Sequence, residues 1–201
     1  VVIRAAFLDR DGVINANVLR DGRPVAPTRL DELRILPGVR EAMTKLKSAA
    51  FKVIVVTNQP DIATGRTSRA IVEAMHRELR RRLPIDDIRI CPHTIAEACN
   101  CRKPKPGMLV DAAAEHGICL KQSFIIGDRI SDIEAGFSAG CGLTAFIDYG
   151  YESLDSRSPD IISASLLEAV NSILNCNFEA GAHDGISKHR AASDQNFCGR
   201  G

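Results

Sequence analysis

The sequence predicts an α/β fold, a parallel sheet with helices on both faces, and three observations carry that prediction. Short apolar runs alternate with stretches of helical periodicity along most of the chain. Several of the runs end abruptly in polar side chains: Asp9 and Asp11 after the first, Thr57-Asn58 after another, Asp128 after a later one. Strands and helices alternate in chain order, which implies a parallel sheet covered on both faces, with ligands at the carboxyl ends of its strands.

In chain order, Ile3–Leu8 is the first strand, and residues 12–36, with Gly22, Pro24 and Pro27 and no clear period, read as a long loop. Pro37-Gly38 opens a helix whose apolar face is Val39, Ala42, Met43, Leu46, Ala49 and Ala50. Phe51–Val56 is a buried strand leading to Thr57-Asn58-Gln59. A helix over residues 67–83 places Ile71, Ala74, Met75, Leu79 and Leu83 inward and Arg77, Arg80, Arg81 and Arg82 on a solvated face. Residues 88–91 form a short strand, and Pro106–His116 a helix stopped by Gly117. The strand at Ser123–Gly127 precedes a helix for which Ser131 and Glu134 have capping-box spacing, closed by Gly140. Leu143–Ile147 is a further strand, and the helix over residues 165–174 begins with Ser165 and Glu168.

The 201 residues suit one domain, residues 1–174, followed by a polar, Gly-rich tail at 175–201 that reads as flexible, with Cys176 and Cys198 incidental. A net charge of +1 argues against nucleic-acid binding, and no apolar run nears the roughly 20 residues a membrane helix needs. The start, Val1-Val2-Ile3-Arg4, has no charged leader or apolar signal core, and without an initial Met the numbering is expected to begin inside a longer product. Of seven cysteines, Cys91, Cys99 and Cys101 cluster with His93, which argues for a metal site in a reducing, cytoplasmic compartment and against a disulfide framework. Cys119 and Cys141 read as core residues.

The polar strand ends make a chemical proposition. Residues two apart in extended chain face the same way, so Asp9 and Asp11 can address one reacting centre. One carboxylate can attack phosphorus, and the other can protonate the leaving oxygen and then deprotonate water. Carboxylates this close need a cation between them; hard, oxygen-seeking Mg²⁺ fits, with Asp128 as a further ligand and Asp132 as either a supporting partner or a helix-start residue. Thr57 can donate to a phosphoryl oxygen, Lys103 can neutralise its charge, and Arg102 suits a second phosphate or a hydroxyl, whereas Lys105 reads as solvated.

Asp9-Arg10-Asp11-Gly12-Val13, Thr57-Asn58-Gln59, Arg102-Lys103-Pro104 and Gly127-Asp128-Arg129 resemble, in order, the four motifs of the haloacid-dehalogenase superfamily. The resemblance covers residues 3–147. It implies a Rossmann-like core, Asp9 as nucleophile, Asp11 as acid/base, Lys103 as phosphate clamp, and Mg²⁺ held by Asp9, the Asp11 main-chain carbonyl and Asp128. Arg10, Asn58, Gln59 and Arg102 are the expected substrate-binding residues.

Cys91, His93, Cys99 and Cys101 make two pairs of one-residue spacing, a closed set of three thiolates and one imidazole that suits structural Zn²⁺. Cys101 directly precedes Arg102-Lys103, so this zinc loop, residues 91–101, would hold both cations in place beforehand. A zinc loop followed by Arg-Lys-Pro is similar to the superfamily branch that contains heptose bisphosphate and histidinol-phosphate phosphatases. Cys101–Met108 favours the heptose enzymes, which act ahead of lipopolysaccharide or other surface glycans, and the Gly127–Ile133 run suits either group. Asn17–Gly22 and Pro60-Asp61 depart from the heptose pattern where the sugar would be recognised. Only residues 12–56 separate the first two motifs, so no large cap domain is expected and the substrate is a small phosphate ester, a sugar phosphate. The chain is expected to act as a monomer. The rival from another class is a non-catalytic phosphosugar-binding module, which would be expected to lack Asp9, Asp11 or Lys103.

Overall fold

The computed structural model describes residues 1–152 and 158–176. Six strands form one wholly parallel sheet: β1 (Arg4–Leu8), β4 (Phe51–Asn58), β5 (Asp87–Cys91), β6 (Phe124–Gly127), β7 (Leu143–Ile147) and β8 (Ile161–Ser163). Their spatial order is β5-β4-β1-β6-β7-β8. From β1 the chain builds outward to β4 and β5, then returns to lay β6 against the other side of β1. That reversal makes a crevice at the carboxyl ends of β1 and β6, the place where open parallel sheets bind ligands.

Strand alternation divides the core into two layers. Ala6 and Leu8 of β1 with Val53 and Val55 of β4 face α1 (Val39–Ser48) and α5 (Leu166–Asn175), through Met43, Leu46, Val170 and Ile173. Ala5 and Phe7 with Ile54 and Val56 face the other way, against Met108, Leu109 and Ala112 of α3 (Gly107–His116) and Ala135 of α4 (Ile130–Ala139). The helix α2 (Arg69–Arg82) starts at Ser68, whose side chain accepts from the Ile71 amide, and buries Val72, Met75 and Leu79. Arg80, Arg81 and Arg82 stand in its last turn, where cations suit the helix dipole, and Arg81 and Arg82 pair with Glu78.

Several local expectations change. Residues 12–36 are not all loop: β2 (Val18–Arg20) and β3 (Arg23–Val25) form an antiparallel hairpin. Its tip is Asp21-Gly22, both at positive φ (51° and 73°), the two-residue turn that Asp-Gly favours. Ala49, the C-cap of α1, still packs against the core, whereas Ala50 lies beyond the helix and is exposed. Helix α4 starts two residues earlier than its Ser131/Glu134 spacing suggests, because Asp132 accepts from the Arg129 amide at 3.1 Å. Ser165 caps α5 as expected, accepting from the Glu168 amide at 3.2 Å, but the Glu168 carboxylate accepts from the amide of Ala164 at 3.0 Å, one residue upstream of Ser165. Strand β8, three residues at the sheet edge, has too little pattern to be seen in sequence.

Between β1 and α1 there is only the hairpin and a short 3-10 turn at Leu30–Glu32, so no large cap domain occupies that stretch. Among the described residues no helix is long and apolar enough to cross a membrane. The expected tail lies outside the described residues, apart from Asn175, which ends α5, and the exposed Cys176.

Phe124 stands in β6 between β1 and β7, fully buried, its ring 5.1 Å from that of Phe51. Phe124→Ala should cost about 3–5 kcal/mol of stability. A shift of the urea midpoint at unchanged m-value measures it, and a loss under about 1 kcal/mol would contradict this account of the core.

Candidate active site

The carboxyl ends of β1, β4 and β6 converge on one buried ammonium. The Asp9 amide donates to the Ile126 carbonyl at 3.0 Å, which ties the end of β1 to β6. The Lys103 Nζ lies 2.6 Å from Asp9 Oδ1 and 2.6 Å from Asp132 Oδ1, and donates to the Val56 carbonyl at 2.7 Å. Asp128, at the end of β6, joins Asp9 and Asp132 in a group whose ligand oxygens lie within 4.8 Å of one another. Gly12 (φ 89°) lets the chain pass this group: a Cβ there would run into the Asp128 carboxylate.

Asp11 faces a different set of partners. Its Oδ1 accepts from Arg10 Nε at 3.1 Å and Asn15 Nδ2 at 2.9 Å; its Oδ2 accepts from a terminal nitrogen of Arg10 at 2.9 Å and Gln59 Nε2 at 2.6 Å. The same Gln59 amide donates to Thr57 Oγ1 at 3.0 Å, so the Thr57 hydroxyl hydrogen remains for another acceptor. Asn58 grips the main chain of Lys103 in both directions, its amide donating to the carbonyl and its oxygen accepting from the N–H, each at 3.1 Å. The last residue of β4 thereby holds the loop that delivers Lys103, and the residue after it, Gln59, holds Asp11.

The charges do not balance within the first group. Asp9, Asp128 and Asp132 face the Lys103 ammonium and, 3.9 Å from Asp128, the Arg129 guanidinium, which is shared with Glu152; Asp11 is already matched by Arg10. Burial pushes Asp9 well above the usual carboxylate range against the pull of Lys103, and Asp132, Asp128 and Asp11 raise it further. Burial, then the Asp132 charge, pushes Asp128 up to about 6, although the Tyr151 hydroxyl donates to it. Burial alone would lower Lys103, yet Asp132 and Asp9 together raise it. Asp128 Oδ1 is buried with no hydrogen-bond partner. Surplus carboxylate charge and an orphaned oxygen are what a hard divalent cation would satisfy.

A second donor set lies 91–101. Cys91 Sγ is 3.6 Å from His93 Nδ1 and from Cys99 Sγ; Cys101 Sγ is 3.3 Å from His93 Nδ1 and 3.4 Å from Cys99 Sγ. A tetrahedral ion with metal–sulfur bonds of about 2.3 Å separates its ligands by about 3.5–3.8 Å, so three sulfurs and one nitrogen fit around one thiophilic cation. Beside this set, Arg102 donates to the His93 carbonyl at 3.2 Å and Lys105 to the Ala98 carbonyl at 2.8 Å. Lys105 is therefore a brace of the loop and not merely solvated. Asp87, Glu115 and His116 also lie close together, but Arg89 already binds Asp87 at 2.7 Å and Glu115 at 2.6 Å, and Arg80 lies 3.8 Å from Asp87, so both carboxylates already have cationic partners.

The expected residues are thus gathered at one sheet edge, with qualifications. Arg10 is wholly buried and engages Asp11 and His76, so it reaches a substrate only through Asp11. Asn58 and Gln59 are engaged with Lys103, Asp11 and Thr57. The side chain of Asp11 stands apart from the acidic group, and Asp132 takes the third place in it while also capping α4. Arg66 is exposed, 3.7 Å from Asp61; Arg129 lies over the Tyr151 ring and binds Glu152. Asn17, in the loop expected to recognise the sugar, lies 3.4 Å from Asp128, whereas Tyr151 and Tyr149, whose hydroxyl donates to the Gly12 carbonyl at 2.8 Å, were not foreseen, since no local pattern connects them to the site.

The Asp128 shift has a sign that can be tested. Its folded value lies above the ordinary 3.8, so between about 4 and about 6 the metal-free fold holds a proton that the unfolded chain releases. Stability of the metal-free protein should therefore fall as pH rises through that window. A cation replaces the proton, so Mg²⁺ should raise Tm more at a pH of about 7.5 than at about 5. Equal Tm gains at both values would contradict the assignment of Asp128 to a cation site.

The family model of the haloacid dehalogenase-like hydrolases matches residues 3–140. A D-glycero-beta-D-manno-heptose-1,7-bisphosphate 7-phosphatase of Rhodopseudomonas palustris is 42% identical over 148 residues, 68% of this chain and 79% of the relative. A D-glycero-alpha-D-manno-heptose-1,7-bisphosphate 7-phosphatase of Mycobacterium tuberculosis is 36% identical over 152 residues, 72% of this chain and 78% of the relative. Among solved structures, a D,D-heptose 1,7-bisphosphate phosphatase from B. bronchiseptica, complexed with magnesium and phosphate, superposes with a TM-score of 0.75 at 29% identity. That match covers 87% of this chain and 99% of the other. With its motif residues drawn to one sheet edge and the family model spanning residues 3–140, the chain belongs to the haloacid dehalogenase-like hydrolases.

Proposed function

We propose that this chain is a phosphatase that removes one phosphate from D-glycero-D-manno-heptose 1,7-bisphosphate through an aspartyl-phosphate on Asp9. The observation that carries the chemistry is a difference in access. The side chains of Asp9 and Asp11 keep 10% and 11% exposure, while those of Asp128 and Asp132 keep 1% each. Two carboxylates are therefore open to a substrate and two are held back. The sugar is supported by the relatives, which are named for the alpha and the beta heptose bisphosphate.

In this reading Lys103 holds Asp9 Oδ1, which leaves the other oxygen to attack phosphorus. The Thr57 hydroxyl, already accepting from Gln59, donates to a phosphoryl oxygen, and the Lys103 charge stabilises the same group. Asp11 delivers a proton to the leaving oxygen and then takes one from the water that cleaves the acyl phosphate. Mg²⁺ held by Asp9, Asp128 and the Asp11 main chain would offset the charge gathered on the phosphoryl oxygens. Arg102 offers its remaining donors to the second phosphate or a sugar hydroxyl. A structural Zn²⁺ on Cys91, His93, Cys99 and Cys101 would fix the loop that carries Arg102 and Lys103, two residues from the last ligand.

Asp9→Asn should lower kcat by about three orders of magnitude, the scale of losing a nucleophile, with the fold intact. Phosphate release should be compared on both anomers of heptose bisphosphate and on histidinol phosphate. A strong preference for histidinol phosphate would replace the sugar reading, and an active Asp9→Asn variant would sink the covalent one. Elemental analysis should find one zinc per chain. Cys99→Ser should lose it together with amide protection in the 91–105 loop, and unchanged kcat after zinc loss would remove its supporting role.

A further inference from the structure

Arg10 lies beneath Asp11 with no exposed surface. A guanidinium has five N–H donors and no acceptor, and once buried its nitrogens need partners. Nε and one terminal nitrogen are taken by the two oxygens of Asp11. The other terminal nitrogen is 3.1 Å from His76 Nε2, on α2.

Arginine can only donate, so His76 Nε2 is the acceptor in this pair. The imidazole is then neutral and carries its proton on Nδ1. Its environment enforces that state: burial first, then the Arg10 charge, with Arg80 adding to both, hold its pKa down at about 3 against the pull of Asp11. The ring also lines a cleft of about 320 Å³ beside Arg69, Glu73, Arg77 and Arg80.

We infer that His76 is a positioning residue for the reaction, which by accepting the outward N–H of Arg10 fixes the guanidinium fork against both oxygens of Asp11. This rests on the acid/base role of Asp11 proposed above. The neutrality of the acceptor matters as much as its place. A carboxylate at this position would compete with Asp11 for the Arg10 fork and pull it out of register, whereas neutral imidazole satisfies the outward nitrogen and leaves Nε and the other terminal nitrogen seated on Asp11. Asp11 itself reaches the substrate; His76 acts on it through one intervening side chain.

The test uses leaving groups of different quality, because help from a general acid matters for an alkyl ester and little for p-nitrophenyl phosphate. His76→Gln keeps a neutral acceptor and should remain within about twofold of wild type on both. His76→Leu removes the acceptor, and His76→Glu keeps one but charges it. Each should lower kcat on a sugar phosphate by about tenfold and on p-nitrophenyl phosphate by about twofold, with KM little changed. A role confined to stability would move Tm and leave the ratio of the two kcat values alone. Equal losses on the two substrates, or His76→Glu matching His76→Gln, would overturn the inference, and the Glu variant serves if the Leu variant does not fold. Asp11→Asn is measured alongside. If it is inactive and the His76 variants show no leaving-group effect, only the positioning role falls; if it retains activity, the role of Asp11 falls first and this one with it.

Discussion

The Lys103 ammonium is 3% exposed and bridges Asp9, from the first strand, to Asp132, in the first turn of α4, while donating to the last apolar residue of β4. Moving an ammonium out of water costs several kcal/mol unless charges and hydrogen-bond acceptors replace the solvent. Here two carboxylates and one carbonyl do so, and each comes from a different element. The ends of β1, β4 and α4 are therefore held at a common distance by one side chain. Without it, three carboxylates would face one another in a buried space, and the loop between β5 and α3 would keep, among the described residues, only the Asn58 hydrogen bonds to the sheet.

That loop must place Lys103 accurately although it belongs to no strand or helix. Asn58 holds its backbone from the sheet side, and the Cys91, His93, Cys99 and Cys101 cluster gathers the segment that precedes it. Lys105 and Arg102 then bond carbonyls within the same segment. A loop constrained at both ends loses little further entropy when an anion arrives, which is the physical benefit of building the site this way. Asp11 has a parallel support in Arg10, Asn15 and Gln59, so the two accessible carboxylates rest on separate networks. One network is a buried charge cluster with surplus negative charge, and the other is nearly balanced; the first suits a cation, the second a group that exchanges a proton.

Much of this was legible from local pattern. The strands β1, β4, β6 and β7 and all five helices follow from apolar runs, periodicity and helix-stop glycines, because each depends on residues near one another in the chain. The hairpin at residues 18–25 was missed although Asp21-Gly22 is a hairpin turn, since its strands are three residues long and half exposed. The start of α4 was displaced because the decisive hydrogen bond runs from Asp132 back to Arg129, and Ser131/Glu134 offers the same spacing. The position of Asp9, Asp11, Thr57, Lys103 and Asp128 at one edge could be expected once the sheet was parallel.

By itself the sequence determined the fold class, the strand ends that bear chemistry and the two candidate donor sets, because strand and helix periodicity and ligand spacing are properties of neighbouring residues. Only the tertiary structure decided how the charges are shared: Lys103 between Asp9 and Asp132, Arg10 buried and turned to Asp11 and His76, Tyr151 against Asp128. These partners lie tens of residues apart. Their pairing is set by the order of strands in the sheet and by which side chains the fold removes from water, neither of which leaves a local trace.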